Sequence, residues 1–129
     1  MLRALREMGL DKVFPEEKVF TVNDVLPYCK PEKEAFQKVF DAIGVKDPSE
    51  CIMVEDSMKN IRAAKELGMA TVLIAGIGRM SGKTNDALAD AAEATKAGDA
   101  PDVEDPAVDV CIEHAREMKA AVPGLWGTN

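Results

Sequence analysis

The chain of 129 residues is long enough for one domain with a sizeable core, because folding buries roughly two-thirds of the unfolded surface at this length. Hydrophobic residues make up 47% of the chain and charged residues 30%, as is usual for a soluble globular protein. The net charge of −7 argues against binding a nucleic-acid polymer or an anionic membrane through bulk charge, but it does not exclude a small phosphate ligand held by a metal.

The hydrophobic pattern predicts helices and strands that alternate along the chain. Apolar residues recur with the period of a helix in some segments, while short continuous apolar runs predict buried strands. Ile52, Val54, Val72 and Ile74 are predicted to be buried in two of these strands. In chain order the predicted elements are helix 2–8, strand 18–22, helix 31–43, strand 51–54, helix 58–67, strand 71–74, strand 107–112 and helix 113–122.

The stretch CIMVEDSMKNI at residues 51–61 is the centre of this pattern. Its strand leads into Glu55 and Asp56, Ser57 follows as a candidate helix cap, and a second strand comes after the helix. A strand, a helix and a second strand in this order form a parallel βαβ unit with a right-handed crossover. In open parallel sheets, ligands bind at the carboxyl ends of the strands. Oxygen ligands at that edge favour a hard cation such as Mg²⁺. The alternative is that both carboxylates only lie at the start of the helix, where negative charge is favourable.

Residues 76–106 are predicted to form a surface insertion within a single domain that spans residues 1–129. The stretch is small and polar, contains an alanine-rich segment with helical propensity at 85–97, and ends in the acidic loop GDAPDVEDP. The run GRMSGKT at 78–84 is similar to a phosphate-binding loop but lacks the GxxxxGK(S/T) spacing, which favours a flexible connector.

The cysteine pattern and the length of the apolar runs indicate the cellular compartment in which the protein is expected. Three cysteines form no CxxC or Cys/His metal spacing, so a reduced, cytoplasmic protein is expected. No apolar run approaches the roughly 20 residues of a membrane span. The single histidine, His114, has no serine or cysteine partner pattern, so a structural or exposed role is expected for it.

Four segments together carry a family pattern. They are LRALREMGLDKVF at 2–14, CKPEKEAFQKVFDAIGV at 29–45, IMVEDSMKNIRAAKELGMATVLI at 52–74 and DVCIEHAREMKAAVPGLW at 109–126. These segments resemble the haloacid dehalogenase (HAD) superfamily of phosphohydrolases, and most closely its pyrimidine 5′-nucleotidase branch. The specific part of the resemblance is Lys-Pro combined with Glu-Asp-Ser-x-x-Asn-Ile at this spacing. It implies a Rossmann-like α/β fold, with a parallel sheet that carries helices on its faces.

The resemblance implies roles for five residues. Lys30 matches the lysine that pairs with the nucleophile and the transferring phosphoryl group. Glu55 and Asp56 match the acidic pair that holds Mg²⁺, directly or through water. Ser57 and Asn60 match the turn and helix start that support this pair. These roles agree with the chemistry, because transfer from a phosphomonoester needs the charge on its oxygens neutralised by a metal and a cation.

Two motifs of the family are absent from the chain. The family's nucleophile is the first aspartate of a DxDxT-like motif and the general acid is the second, but no DxD occurs here. The Thr or Ser that ends the family's next strand is absent as well. The chain is therefore expected to hold a partial HAD core without its first two strands and cap, as a fragment, a truncated gene model or a divergent product. In the family's sheet the two missing strands lie between the strands predicted here at 18–22 and 51–54. The remaining strands would close this gap, leave a groove there or pair with a strand from a partner.

The favoured interpretation is the C-terminal part of a Mg²⁺-dependent HAD phosphatase that is inactive alone and acts on a small phosphorylated metabolite, a pyrimidine nucleoside 5′-monophosphate being the expected class. The expected partners are this metabolite and either the missing N-terminal segment or a second copy of the chain. The alternative is a non-catalytic binding or assembly module with a vestigial metal site. Lys30, Glu55 and Asp56 can bind and orient a phosphate but cannot attack it, so the residues leave enzymatic activity open.

Overall fold

The computed structural model describes residues 2–77 and 101–127, which form two compact units. The first unit is Met1–Lys46 and the second is Asp47–Asn129. Most of the predicted insertion at 76–106, including the predicted helix at 85–97 and the run at 78–84, lies outside the described residues. The expectation of a single domain stays a prediction.

The first unit is helical. Its elements are α1 (Leu2–Glu7), a 3₁₀ turn (Glu16–Lys18), α2 (Val22–Val25) and α3 (Lys33–Ile43). The apolar face of α3 buries Ala35, Phe36 and Phe40, as the helical period predicts. Gly44 ends this helix with a φ of 77°, a left-handed conformation that glycine adopts without steric cost. The predicted helix at 31–43 is confirmed, although it begins at Lys33 rather than at residue 31.

The strand predicted at 18–22 is wrong. Val19 and Thr21 have extended backbones, but the segment pairs with no strand in the described part of the chain. Thr21 instead precedes α2, and the Asp24 carboxylate accepts hydrogen bonds from both the backbone N–H and the hydroxyl of Thr21, each at 2.6 Å. This Thr-x-x-Asp pattern is a helix-start signal, and it outweighs the β propensity of the valines and the phenylalanine.

The second unit is an α/β structure built on a parallel sheet. Its elements are a 3₁₀ turn (Pro48–Glu50), β1 (Ile52–Glu55), α4 (Met58–Glu66), β2 (Ala70–Ile74), β3 (Val110–Ile112), a 3₁₀ turn (Ala115–Glu117), α5 (Met118–Ala121) and a 3₁₀ turn (Pro123–Trp126). Within the described residues the strand order is β1-β2-β3, and both neighbouring pairs are parallel. This confirms the predicted fold class, an α/β fold like part of a Rossmann-like core.

The register of the strands assigns their residues to the two faces of the sheet. Met58 and Ile61 of α4 form a buried cluster with Leu73 of β2 and with Ala107, so Leu73 lies on the face that α4 covers. Glu55 pairs with Leu73 and therefore lies on the same face.

The opposite face of the sheet departs from the predicted core. Val72 is 2% exposed, which confirms its predicted burial, and Ile52 and Ile74 are half-buried. Val54 is 42% exposed, so its predicted burial is wrong. The reason lies in the position of Val54: β1 is an edge strand of the described sheet, and Val54 lies on the face that α4 leaves uncovered.

The last predicted elements are shorter in the structure. The strand predicted at 107–112 contains only Val110–Ile112, because residues 105–109 form a hydrogen-bonded turn instead. The helix predicted at 113–122 is a 3₁₀ turn followed directly by the single turn of α5. Among residues 2–77 and 101–127, no helix has the length and apolar character needed to cross a membrane.

Candidate functional site at the carboxyl end of β1

The carboxyl end of β1 carries the predicted acidic pair in a tight strand-to-helix turn. Glu55 is the last residue of the strand, and its carboxylate accepts hydrogen bonds from two groups of this turn. One comes from the backbone N–H of Asp56 to Oε1, and the other comes from the side-chain Nδ2 of Asn60 to Oε2, each at 3.1 Å. The structure therefore brings four of the five predicted site residues, Glu55, Asp56, Ser57 and Asn60, into one strand-to-helix turn, in which hydrogen bonds join Glu55 to Asp56 and to Asn60.

Asp56 and Ser57 complete the turn into α4. Asp56 is exposed, while Ser57 is half-buried. Ser57 occupies the predicted N-cap position, and its carbonyl accepts the first helical hydrogen bond from the N–H of Ile61 at 3.0 Å. Its hydroxyl makes no capping hydrogen bond to the helix. Ser57 thus supports the helix start through its backbone, and the carboxylates at this positive end of the helix are electrostatically favourable.

The neighbouring strands end at the same edge of the sheet. After β2 the chain passes through Gly76, whose φ is 84°, and after β3 it passes through Glu113 and His114. The N–H of Glu113 donates to the carboxylate of Glu117 at 3.1 Å, which fixes the turn into the C-terminal helices. His114 is half-buried at the N-cap of a 3₁₀ turn, and its structural or exposed role stays a prediction.

The donor set at Glu55 and Asp56 fits Mg²⁺. Both side chains offer carboxylate oxygens, the hard ligands this ion prefers. No group of three or more His, Cys, Asp or Glu side chains is arranged to hold a metal within residues 2–77 and 101–127. Two carboxylates are nevertheless compatible with Mg²⁺, which keeps several waters and commonly takes one or two protein carboxylates together with phosphate oxygens.

Lys30 lies in the first unit, in a turn that precedes α3. The N–H of Cys29 donates to the Glu32 carboxylate at 2.8 Å, and the N–H of Glu32 donates to the Cys29 carbonyl, also at 2.8 Å. Lys30 and Pro31 form the exposed middle of this turn. The turn fixes the backbone of Lys30 outside the helix, and its role toward a phosphoryl group stays a prediction.

The opposite end of α4 holds a second polar cluster that the sequence did not indicate. The Asp109 carboxylate accepts hydrogen bonds from Lys65 Nζ and, at 2.9 Å, from the backbone N–H of Thr71. The Thr71 hydroxyl, which is almost fully buried, donates to the Ala107 carbonyl and accepts from the Asp109 N–H. The hydrogen bond from Lys65 lowers the pKa of Asp109 below its ordinary value, as does the one from Thr71.

An ion pair one turn earlier in α4 reinforces this cluster. Arg62 Nε donates to Asp105 Oδ2 at 2.9 Å, and the Asp105 side chain is only 13% exposed. The backbone N–H of Ala107, and then Arg62, lower the pKa of the Asp105 carboxyl. Asp105 and Asp109 of the returning chain are thereby tied to α4, at the end of the sheet away from Glu55.

Comparisons with known proteins bear on the family of the chain. The family model of the haloacid dehalogenase-like hydrolases matches residues 1–68, which is more than half of the 129 residues. A CBBY-like protein of Arabidopsis thaliana is 39% identical over 56 residues, which cover 43% of this chain and 17% of that protein. The match to this relative therefore spans a small part of its length. The match of the family model over more than half of its residues shows that the chain belongs to the haloacid dehalogenase-like hydrolase family.

Proposed function

We propose that this chain supplies the metal-binding carboxylates and the phosphate-facing lysine of a Mg²⁺-dependent HAD phosphatase, as the C-terminal part of its catalytic domain. The observation that carries the proposal is the acidic turn at the carboxyl end of β1, within a parallel sheet. Ligands of open α/β sheets bind at this edge, so the carboxylates lie where a substrate would be bound.

The chemistry assigns each residue a task. Mg²⁺, when bound, would neutralise negative charge on the phosphoryl oxygens. Asp56 and Glu55 would hold this ion at the carboxyl end of β1. Lys30 would add a second positive charge beside the transferring group. The substrate we propose is a small phosphomonoester, with a pyrimidine nucleoside 5′-monophosphate as the first class to test.

The step these residues leave open is the nucleophilic attack. Hydrolysis of a phosphomonoester is extremely slow without catalysis, so turnover needs a positioned nucleophile. The whole sequence contains no Asp-x-Asp pair, and Glu55 and Asp56 are assigned to the metal. We therefore expect the chain to be inactive by itself and to need a nucleophilic aspartate from another polypeptide segment.

A phosphatase assay on the 129-residue chain tests this expectation. Para-nitrophenyl phosphate and uridine 5′-monophosphate would be incubated with the protein, with and without Mg²⁺, beside a heat-killed control. We expect no turnover above the control. Robust Mg²⁺-dependent hydrolysis that Asp56→Ala abolishes would refute the expectation, because it would show that the chain contains its own nucleophile.

A second candidate function is a non-catalytic binding or assembly module with a vestigial metal site. The lack of a three-ligand group among the described residues favours it. Mg²⁺ titration followed by NMR distinguishes the two functions. Saturable shifts at the amides of residues 55–60 that Asp56→Asn removes would support the metal role, and shifts that the substitution leaves unchanged would contradict it.

A further inference from the structure

The returning segment, residues 105–126, is held to the rest of the second unit by few apolar contacts. Within residues 101–127 only Ala107 and Ile112 are buried, whereas most of the buried apolar side chains of this unit lie between Met58 and Ala75. Strand β3 pairs with β2 through three residues, against four in the pair of β1 and β2. Helix α5 packs against β3 itself. Apolar burial therefore holds β1, α4 and β2 together more strongly than it holds the returning segment to them.

Two ion pairs supply much of the remaining attachment. Arg62 Nε donates to Asp105 Oδ2 at 2.9 Å, and one turn later Lys65 Nζ donates to Asp109 Oδ1. The second carboxylate also accepts the backbone N–H of Thr71 in β2, at 2.9 Å. The side chains of Lys65 and Asp109 are 38% and 40% exposed, so water and salt reach this pair. The attachment of the returning segment to α4 is thus largely electrostatic.

We propose that the returning segment opens from β2 as one cooperative unit when these two ion pairs are broken, while β1, α4 and β2 stay folded. Regions with few buried apolar contacts open locally at a lower free energy than the whole domain. Glu113 and His114 follow β3 at the sheet edge where Glu55 lies. Opening therefore changes which residues border the candidate site and leaves the turn between β1 and α4 in place. The two ion pairs are, in this view, a conformational control built into the fold, and it does not rest on the proposed metal role.

Two backbone amides report separately on the two halves of the sheet. The N–H of Ala75 donates to the Ile112 carbonyl at 2.8 Å, which joins β2 to the end of β3. The N–H of Ala70 donates to the Cys51 carbonyl at 3.0 Å, which joins β2 to the start of β1. Opening of the returning segment breaks the first hydrogen bond and keeps the second. Native-state hydrogen exchange followed by NMR measures both amides in one experiment.

The double variant Asp105→Asn with Asp109→Asn removes both negative charges and keeps the size of the side chains and an oxygen that accepts a backbone N–H. We expect exchange of the Ala75 amide to become about 4- to 25-fold faster, because partly exposed ion pairs of this kind each change an equilibrium about two- to fivefold. Exchange of the Ala70 amide should stay as in the wild type.

Asp102→Asn with Glu104→Gln is the matched control. Both residues are exposed and lie just before the returning segment, and the substitutions change the net charge by the same amount. We expect the control to leave both amides unchanged. An acceleration at Ala75 as large in the control as in the first double variant would refute the inference, because net charge alone would then explain it.

The remaining outcomes decide whether the segment opens by itself. Equal acceleration of Ala70 and Ala75 would overturn the proposal, since the whole unit would then open together, and so would no acceleration at Ala75. Salt provides a test on the unmodified chain, should the double variant fail to fold. Raising the ionic strength from about 0.01 M to about 1 M shortens the screening length from about 30 Å to about 3 Å. The exchange rate of Ala75 relative to Ala70 should then rise, and a ratio that salt leaves unchanged would contradict the electrostatic attachment.

Discussion

Replacing Thr71 by valine tests the polar cluster that ties the returning chain to β2. Thr71 is 1% exposed, and its hydroxyl donates to the Ala107 carbonyl at 2.5 Å and accepts from the Asp109 N–H at 3.1 Å. Valine keeps the branched shape and the volume of threonine but can neither donate nor accept. Thr71→Val therefore removes these two hydrogen bonds and the longer contact of the hydroxyl with Asp109 Oδ2 at 3.2 Å, while the packing of the strand is largely retained.

The structure sets the size of the expected effect. A buried polar group left without a partner costs about 1–3 kcal/mol. The Ala107 carbonyl would lose its donor in a buried residue, whereas the Asp109 N–H is part-buried and would be hydrated more easily. The two losses together predict a decrease of about 2–4 kcal/mol in the free energy of unfolding. Thr71→Ser is the control, because it keeps the hydroxyl and loses one methyl group, at a cost of about 1 kcal/mol.

Urea unfolding followed by circular dichroism measures both variants. We expect the midpoint of Thr71→Val to fall clearly below that of Thr71→Ser, with similar slopes for the two transitions. If Thr71→Val is as stable as the wild type, or more stable than Thr71→Ser, the Thr71 hydroxyl does not make these stabilising hydrogen bonds.

Two further predictions concern stability. Phe40→Ala should cost about 3–5 kcal/mol in urea unfolding, because the ring is 5% exposed, whereas Ile43→Ala at a 50% exposed position should cost much less; equal costs would contradict the orientation of α3. Lys65 lowers the pKa of Asp109, so this pair stabilises the fold above the ordinary aspartate pKa of 3.8 and its contribution is lost as the pH falls through the lower folded value. Asp109→Asn should therefore flatten the acid-side decline in stability, and an unchanged decline would show that another carboxyl governs it.

The parts of the fold that the sequence predicts correctly are those with a strong local signal. The helical period marks α3 and α4, and glycines follow close after the ends of both helices. The apolar runs before and after α4 mark β1 and β2, and their parallel pairing follows from the helix between them. Helices α3 and α4 and strand β2 each bury apolar residues that lie close together along the chain, so a local pattern is enough to predict them.

The incorrect predictions have identifiable physical causes. In the segment 18–22 the capping pattern of Thr21 and Asp24 competes with strand propensity, and no strand pairs with the segment in the described part of the chain. At Val54 the apolar run predicts burial on both faces, but the exposure of a strand residue depends on what covers the sheet. Neither outcome can be read from propensity alone, because both depend on tertiary partners.

In the candidate site, too, some features follow from the sequence and others only from the structure. The location of Glu55 and Asp56 follows from the sequence, because a strand, two acids and a helix start are adjacent along the chain. The link from Asn60 to Glu55 depends on the side-chain geometry of one turn, which the spacing alone does not fix. The contact of Thr71 with Asp109 joins residues 38 positions apart, and a single sequence carries no signal for such a pair.

Helix α4 takes part both in the candidate site and in the polar cluster of Thr71 and Asp109. Its first turn holds the Glu55 carboxylate through Asn60, and its later turns hold the returning chain through Arg62 and Lys65. The helix has nine residues, or about 13 Å at 1.5 Å per residue, and packs against β1 and β2 as a short rigid segment. Carboxylates at its C-terminal end are neutralised by its basic side chains and stabilise the fold. The carboxylates at its N-terminal end lie at the edge where parallel sheets bind ligands, which is why we assign function to that end and stability to the other.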